Sequence, residues 1–126
     1  MGLDLYLFTE PQVELEVACC WRGIANDLNL PVLLKKKGCE FWDHVDDGEG
    51  EDWDFEKDEL VPGKEVKYAD PKVILRKAQE ARSILEAASD KDLLQDREAL
   101  LGELDEILVA LKETIKHDVK ARFGVM

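Results

Sequence analysis

DPKVILRKAQEARSILEAASDKDLLQDREALLGELDEILVALKETIKHDVKAR, residues 70–122, is the stretch that sets the fold class. Asp70-Pro71 is an N-cap followed by proline at the first helical position, where the missing N–H has no intrahelical partner anyway. Ile74, Ala78, Ala81, Leu85 and Ala88 then recur at alternating four- and three-residue steps, which is one face of a helix. Ser89-Asp90-Lys91-Asp92 is the next capping signal, with the acid at the box position. Leu94, Leu101, Leu104, Leu108, Leu111, Ile115 and Val119 carry the apolar stripe on to about Arg122. Gly102 is tolerable inside that stripe, at about 1 kcal/mol relative to alanine. The expectation is an antiparallel helical hairpin over 70–122.

Working back toward the N-terminus, the pattern becomes mixed. Leu3 to Phe8 alternate and are β-prone, so a first strand is expected there. Thr9-Glu10-Pro11-Gln12 resembles a capping box with proline in the first turn. Val13-Glu14-Leu15-Glu16-Val17 alternates like a strand, so residues 12–19 stay undecided between helix and strand. Val17, Trp21, Ile24 and Leu28 return to helical spacing, which predicts a helix by about Cys20. Pro31 should kink or end it, with Lys35-Lys36-Lys37-Gly38 as a helix C-terminus. Cys39–Val45 and Asp52–Glu56 are expected as two short strands, joined by a turn at Asp46-Asp47-Gly48-Glu49-Gly50-Glu51. On that reading Cys39, Phe41 and Asp43 share one face, and Trp42 and His44 the other. Pro62-Gly63 is a further turn, followed by a short strand at Glu65–Tyr68.

The fold class is therefore α+β within a single domain, 1–126. A mixed part (3–68) holds a small antiparallel sheet or hairpins and an N-terminal helix, and it packs on the helical hairpin (70–122). A chain of 126 residues, 45% hydrophobic, can bury a real core. No apolar run approaches the ~18 residues of a spanning helix, and Met1-Gly2-Leu3-Asp4 fits neither a secretory nor a myristoylation pattern, so neither is expected. Cys19, Cys20 and Cys39 make a poor disulfide framework and fit buried free thiols in a reducing cytoplasm.

Charge is the most localised property. Residues 40–59 hold eleven acids against one base, Lys57, and so carry ten of the chain's twelve net negative charges. The same tract contains Phe41, Trp42, Trp53 and Phe55, large rings for which a merely solvated tail has little use. A sequence pI near 4.6 argues against direct nucleic-acid binding and toward a basic partner. The candidate partner-binding residues are Trp42, Asp43, Asp46, Asp47, Glu49, Glu51, Asp52, Trp53, Asp54 and Glu56. Carboxylates would steer a basic protein, and the tryptophans would anchor it. The bland alternative is a solvated hairpin whose rings pack inward.

Chemistry of other kinds fits poorly. An EF-hand alignment places Asp43, Asp47, Gly48, Glu51 and Asp54 at positions one, five, six, nine and twelve, but puts Val45 at the third, where an oxygen ligand is required. Gly48-Glu49-Gly50 lacks the lysine and helix of a phosphate loop. His44 sits among carboxylates, and His117 is expected on the last helix beside Lys116 and Asp118. Lys112, Lys116, Lys120 and Arg122 give that helix a basic end, as its dipole favours. Neither a catalytic residue, a metal site nor a cofactor is expected.

The opening Met1-Gly2-Leu3-Asp4-Leu5-Tyr6-Leu7, with Trp21-Arg22-Gly23-Ile24-Ala25-Asn26, resembles a family of small uncharacterised phage and bacterial proteins. These begin Met-Gly-Leu-Asp-x-Tyr-Leu, and some carry a Trp-Arg-x-x-Asn-like segment. The resemblance covers about the first 30 residues. It implies a bacterial or phage origin and a cytosolic accessory role. The resulting expectation is an immunity or inhibitor protein that neutralises a basic partner such as a nuclease-type toxin, without touching nucleic acid or membrane itself. The alternatives are a structural or oligomeric accessory protein built on the helical hairpin and a divalent-cation-binding regulator, and the chain is expected to be a monomer or homodimer.

Overall fold

The computed structural model describes residues 3–46, 51–54, 59–62 and 66–126. It is α+β, with a small mixed sheet on one side and four helices, two of them long. Helix α3 (Pro71–Ala87) starts where Asp70 accepts the Lys72 N–H at 2.9 Å, with Pro71 at the first position. Its face Ile74, Ala78, Ala81, Leu85 is fully buried. Helix α4 (Arg97–Ile115) runs back along it. Arg82 meets Asp105 midway, and Arg97 Nη1 donates to the Ala88 carbonyl near the connection. Leu100, Leu104, Ile107 and Leu111 of α4 join the same buried cluster.

The capping box at Ser89 forms as expected, with Asp92 bonding back to the Ser89 N–H, but it opens only a single 3-10 turn (Asp90–Asp92). The helix proper waits for Asp96, and Leu94, expected on the apolar stripe, is 58% exposed. Gly102 lies on the exposed side of α4, and a Cβ there would meet nothing within 4 Å. Gly102→Ala should therefore raise stability by about 1 kcal/mol, through lower chain entropy in the unfolded state and better helix propensity. A higher urea midpoint at unchanged slope is the readout; a lower midpoint would mean the site is not open.

Four strands form the main sheet: β1 (Leu5–Glu10), β2 (Cys20–Trp21), β3 (Val45–Asp46) and β6 (Lys120–Val125), in the order β2-β1-β6-β3. β1 and β6 pair antiparallel from Leu5↔Val125 to Glu10↔Lys120, and β2 pairs antiparallel with β1. β3 runs parallel to β6, with Val45 beside Phe123 and Asp46 beside Gly124, so the sheet is mixed and not wholly antiparallel. A separate two-stranded ladder joins β4 (Glu51–Asp54) to β5 (Glu59–Pro62). Leu5, Val45, Ala121 and Phe123 face the helices and are fully buried; Trp21 and Phe41 close on Phe123 at ring distances of 6.2 and 5.5 Å.

Several expectations are corrected. Residues 11–19 form neither helix nor strand. Thr9 Oγ1 does accept the Val13 N–H at 3.1 Å, but no helix follows that cap. In place of one helix from Cys20 there is strand β2, then α1 (Gly23–Asn26) and α2 (Asn29–Lys36). Pro31 neither kinks nor ends α2; it occupies the first turn, where its missing N–H would have had no partner. The C-terminus at Lys35–Gly38 is as expected: Gly38 adopts φ +78°, and Cys39 N–H reaches the Leu34 carbonyl at 2.9 Å. The segment expected as strand Cys39–Val45 is a 3-10 turn over Phe41–His44, and only Val45–Asp46 are extended. Glu51–Asp54 pairs with Glu59–Pro62 and not with residues 39–45. Residues 66–68 have no regular structure, with Ala69 alone bridging Ala121; Gly63 and Glu65 lie outside the described residues.

The largest correction is at the C-terminus. α4 stops at Ile115, Asp118 adopts φ +52°, and the chain turns into β6, a strand at the centre of the sheet. His117 sits in that turn, while Lys120 and Arg122 are strand residues. A basic helix end containing them does not exist.

Candidate functional site

The acidic tract begins where α2 ends. The turn at Gly38 sends Cys39 inward, and burial pushes its thiol above the ordinary value. Phe41 plugs the core edge-on to Phe123, which fixes the 3-10 turn that follows. Within that turn Trp42 is half-buried against the core rim and Asp43 is exposed. Lys77 of α3 holds the turn from behind, its Nζ 3.0 Å from His44 Nε2 and 3.2 Å from Glu40 Oε2. An ammonium only donates, so His44 accepts through Nε2 and carries its proton on Nδ1 in this contact.

Between α2 and the turn lies an open cleft of about 480 Å³. Pro31, Val32 and Lys35 line one wall, and Glu40, Trp42 and Asp43 the other. Gly38 and Cys39 close its floor, so the lining combines apolar side chains, one thiol and the charged groups of Lys35, Glu40 and Asp43.

The sequence-derived candidates that are described fall on three elements. Trp42 and Asp43 belong to the cleft. Asp46 lies on β3, in register with Gly124 of β6. Glu51, Asp52, Trp53 and Asp54 form β4, described through its backbone pairing alone. Asp47, Glu49 and Glu56 lie outside the described residues. The proposed two-faced strand at 39–45 is replaced by the turn, which buries Phe41 and Val45 four residues apart and exposes Asp43 between them.

Sequence reasoning missed three arrangements. Asp27, 1% exposed, accepts four backbone N–H groups, from Asn29 and Leu30 at the start of α2 and from Leu94 and Gln95 before α4. Its position just ahead of a helix was a visible capping signal; its bonds to residues 94 and 95 were not. Glu103 of α4 accepts the Ile24 N–H at 3.2 Å, and burial raises its carboxyl while the Ile24 and Gly23 N–H groups oppose the shift. A Cβ at Gly23 would fall on that carboxylate, so glycine gives it room.

The third arrangement joins residues 3 and 4 to the 22–26 segment. Asp4 takes Arg22 Nε at 3.1 Å, while Asn26 bonds both the N–H and the carbonyl of Leu3. With the Arg22 side chain 71% exposed, that ion pair is screened by solvent and acts as a clip between residue 4 and the segment after β2. Next to it Cys20 raises the Tyr6 phenol above its usual value, first through a side-chain hydrogen bond. Cys20 is exposed and Cys19 half-buried, so of the three thiols expected to be buried only Cys39 is.

Among the described residues no three His, Cys, Asp or Glu side chains converge as a metal site would require, and no helix is long and apolar enough to cross a membrane. No protein-family model matches the chain, and no curated protein or solved structure matches it either.

Proposed function

We propose that this chain works by binding, as an immunity or inhibitor protein that neutralises a basic partner, with a nuclease-type toxin as the fitting class. The observation that carries the reading is the placement of Asp43 and Glu40 on the rim of the cleft beside half-buried Trp42, at the point where the tract with ten net negative charges emerges. A cleft of this size takes one large side chain, and the carboxylates around it favour a cationic neighbour. Trp42 is anchored on one side, so little side-chain entropy is lost when the other side is covered. Neither a cofactor nor a catalytic residue is part of this reading.

Reversing Asp46, Asp47, Glu49 and Glu51 to lysine tests it. The four substitutions change the net charge by about eight units, close to removing the tract's field altogether. Basic protein captured by the immobilised chain at low salt should elute as salt is raised and be missing from the variant. Equal capture by both chains, with the variant folded by circular dichroism, sinks the reading.

Self-association is the second reading, and it has its own observation. Leu28 and Val32, one turn apart at the start of α2, are 72% and 66% exposed. A dimer through that face would persist at high salt by light scattering, whereas the charge-driven complex would not.

A further inference from the structure

Leu28, Val32 and Lys36 follow one another at steps of four along α2, one row on the side opposite buried Leu30 and Leu34. All three are exposed, Leu28 by 72% and Val32 by 66%. Asp27, just ahead of the row, accepts the Leu94 and Gln95 N–H groups at 2.9 Å each. Leu94, 58% exposed, and Asp96 therefore lie beside the start of the row. The outer surface of α2 runs from an acid, across three exposed apolar side chains, to a base.

Charge decides what can cover that row. The neighbouring bases face acids of their own chain: Lys35 shares the cleft with Asp43, and Lys37 shares a groove with Glu80 and Asp92. Asp90 and Lys91 of the adjoining turn offset each other. Lys36 and Asp96 form no ion pair among the described residues, and the Asp96 side chain makes no capping bond. The chain as a whole carries a net charge of -12, so its copies repel. Lys35-Lys36-Lys37 is its only run of three bases, and it ends this helix. Two copies repel each other least here, where exposed apolar side chains are also gathered.

We propose that a second copy of this chain covers the row, with the two α2 helices antiparallel about a two-fold axis. The arrangement rests on the reading of Leu28 and Val32 as a self-association face, and adds its geometry and its charge pairing. Under a two-fold axis every contact occurs twice with the roles exchanged. Leu28, Val32 and Leu94 of the two copies then meet in the middle. Lys36 reaches Asp96 of the partner subunit at one end, and the converse pair forms at the other. Parallel helices would set lysine on lysine and aspartate on aspartate. Apolar contact holds the copies together, and charge fixes their direction.

Sedimentation and light scattering of the full chain over a concentration series, at physiological and at about 1 M salt, test this. The wild-type chain should dimerise at both. Leu28→Gln with Val32→Gln, at exposed positions and with a good helix former, should weaken the dimer about 50-fold. Lys36→Glu and Asp96→Lys, each alone, should weaken it about 5-fold, because like charges then meet at both ends. Mixed in equal amounts, those two variants should form a heterodimer with wild-type affinity, since both ends again hold opposite charges. Should Asp96→Lys disturb the head of α4, amide shifts of the wild-type chain on dilution read the same contact. Leu28, Val32, Lys36 and Asp96 should move together. A monomer at every concentration, or a dimer indifferent to the glutamines, overturns the arrangement and the self-association reading together. A dimer that the glutamines weaken, but whose charge variants mixing does not rescue, overturns the antiparallel arrangement alone. Dilution shifts at Leu28 and Val32 without Lys36 and Asp96 do the same.

Discussion

A chain ending at Val119 should not fold. Removing Lys120–Met126 takes out the middle strand of the sheet, which pairs with β1 over six residues, with β3 over two, and with Ala69. It also takes Ala121 and Phe123, both fully buried, from the contact of the sheet with the helices. Truncating a buried phenylalanine alone costs about 3–5 kcal/mol, comparable with the ~5–15 kcal/mol that holds a typical domain together. Here the deletion also strips Trp21 and Phe41 of their shared ring partner and leaves the edges of β1 and β3 that faced β6 without their ladder partner. The expected result is a protein without a cooperative urea transition and with collapsed amide proton dispersion. Were residues 120–122 the frayed end of a helix, the same deletion would cost little. A cooperative transition near the wild-type midpoint would thus exclude a central strand here.

That contrast locates what the sequence could tell. α3 was legible because Asp70-Pro71 and the stripe from Ile74 to Leu85 are local signals, and packing reinforced them. Periodicity also ran on through Val119, four residues after Ile115, although the helix had already ended. The residue that reverses the chain is Asp118, held at positive φ without being a glycine, so no local signal marks the stop. β3 is two residues long and owes its existence to Phe123, far along the chain. At residues 39–45, alternation suggested a strand, yet Phe41 and Val45 sit inward at a spacing of four, and the turn follows from that pair. The candidate site was half legible for the same reason. Charge and aromatic content marked the tract, and the structure sets Trp42 and Asp43 at a cleft.

Asp27 offers the sharpest test of such a long-range contact. Its Oδ1 accepts from Asn29 N at 3.0 Å and Leu30 N at 3.1 Å, its Oδ2 from Leu94 N and Gln95 N at 2.9 Å each. One carboxylate thus satisfies two of the N–H groups that α2 cannot pair internally and pins the approach to α4 beside them. Asp27→Ala removes all four acceptor contacts at a site only 1% exposed. Orphaned donors cost about 1–3 kcal/mol each when water is excluded. Leu94 and Gln95 are exposed enough for water to recover part of that, so the net loss should be about 3 kcal/mol. Asp27→Asn keeps one oxygen but turns an amide NH₂ toward two N–H donors, and should cost less than alanine while still losing one of the two attachments. Urea unfolding measures both values, and amide exchange at Leu94 and Gln95 reports whether the attachment opens before the rest of the fold. If both variants stay within about 0.5 kcal/mol of the wild-type chain, as a surface aspartate would, the carboxylate does not join the two segments. If alanine costs its full amount and asparagine about half, a single side chain holds the start of α2 to the approach of α4.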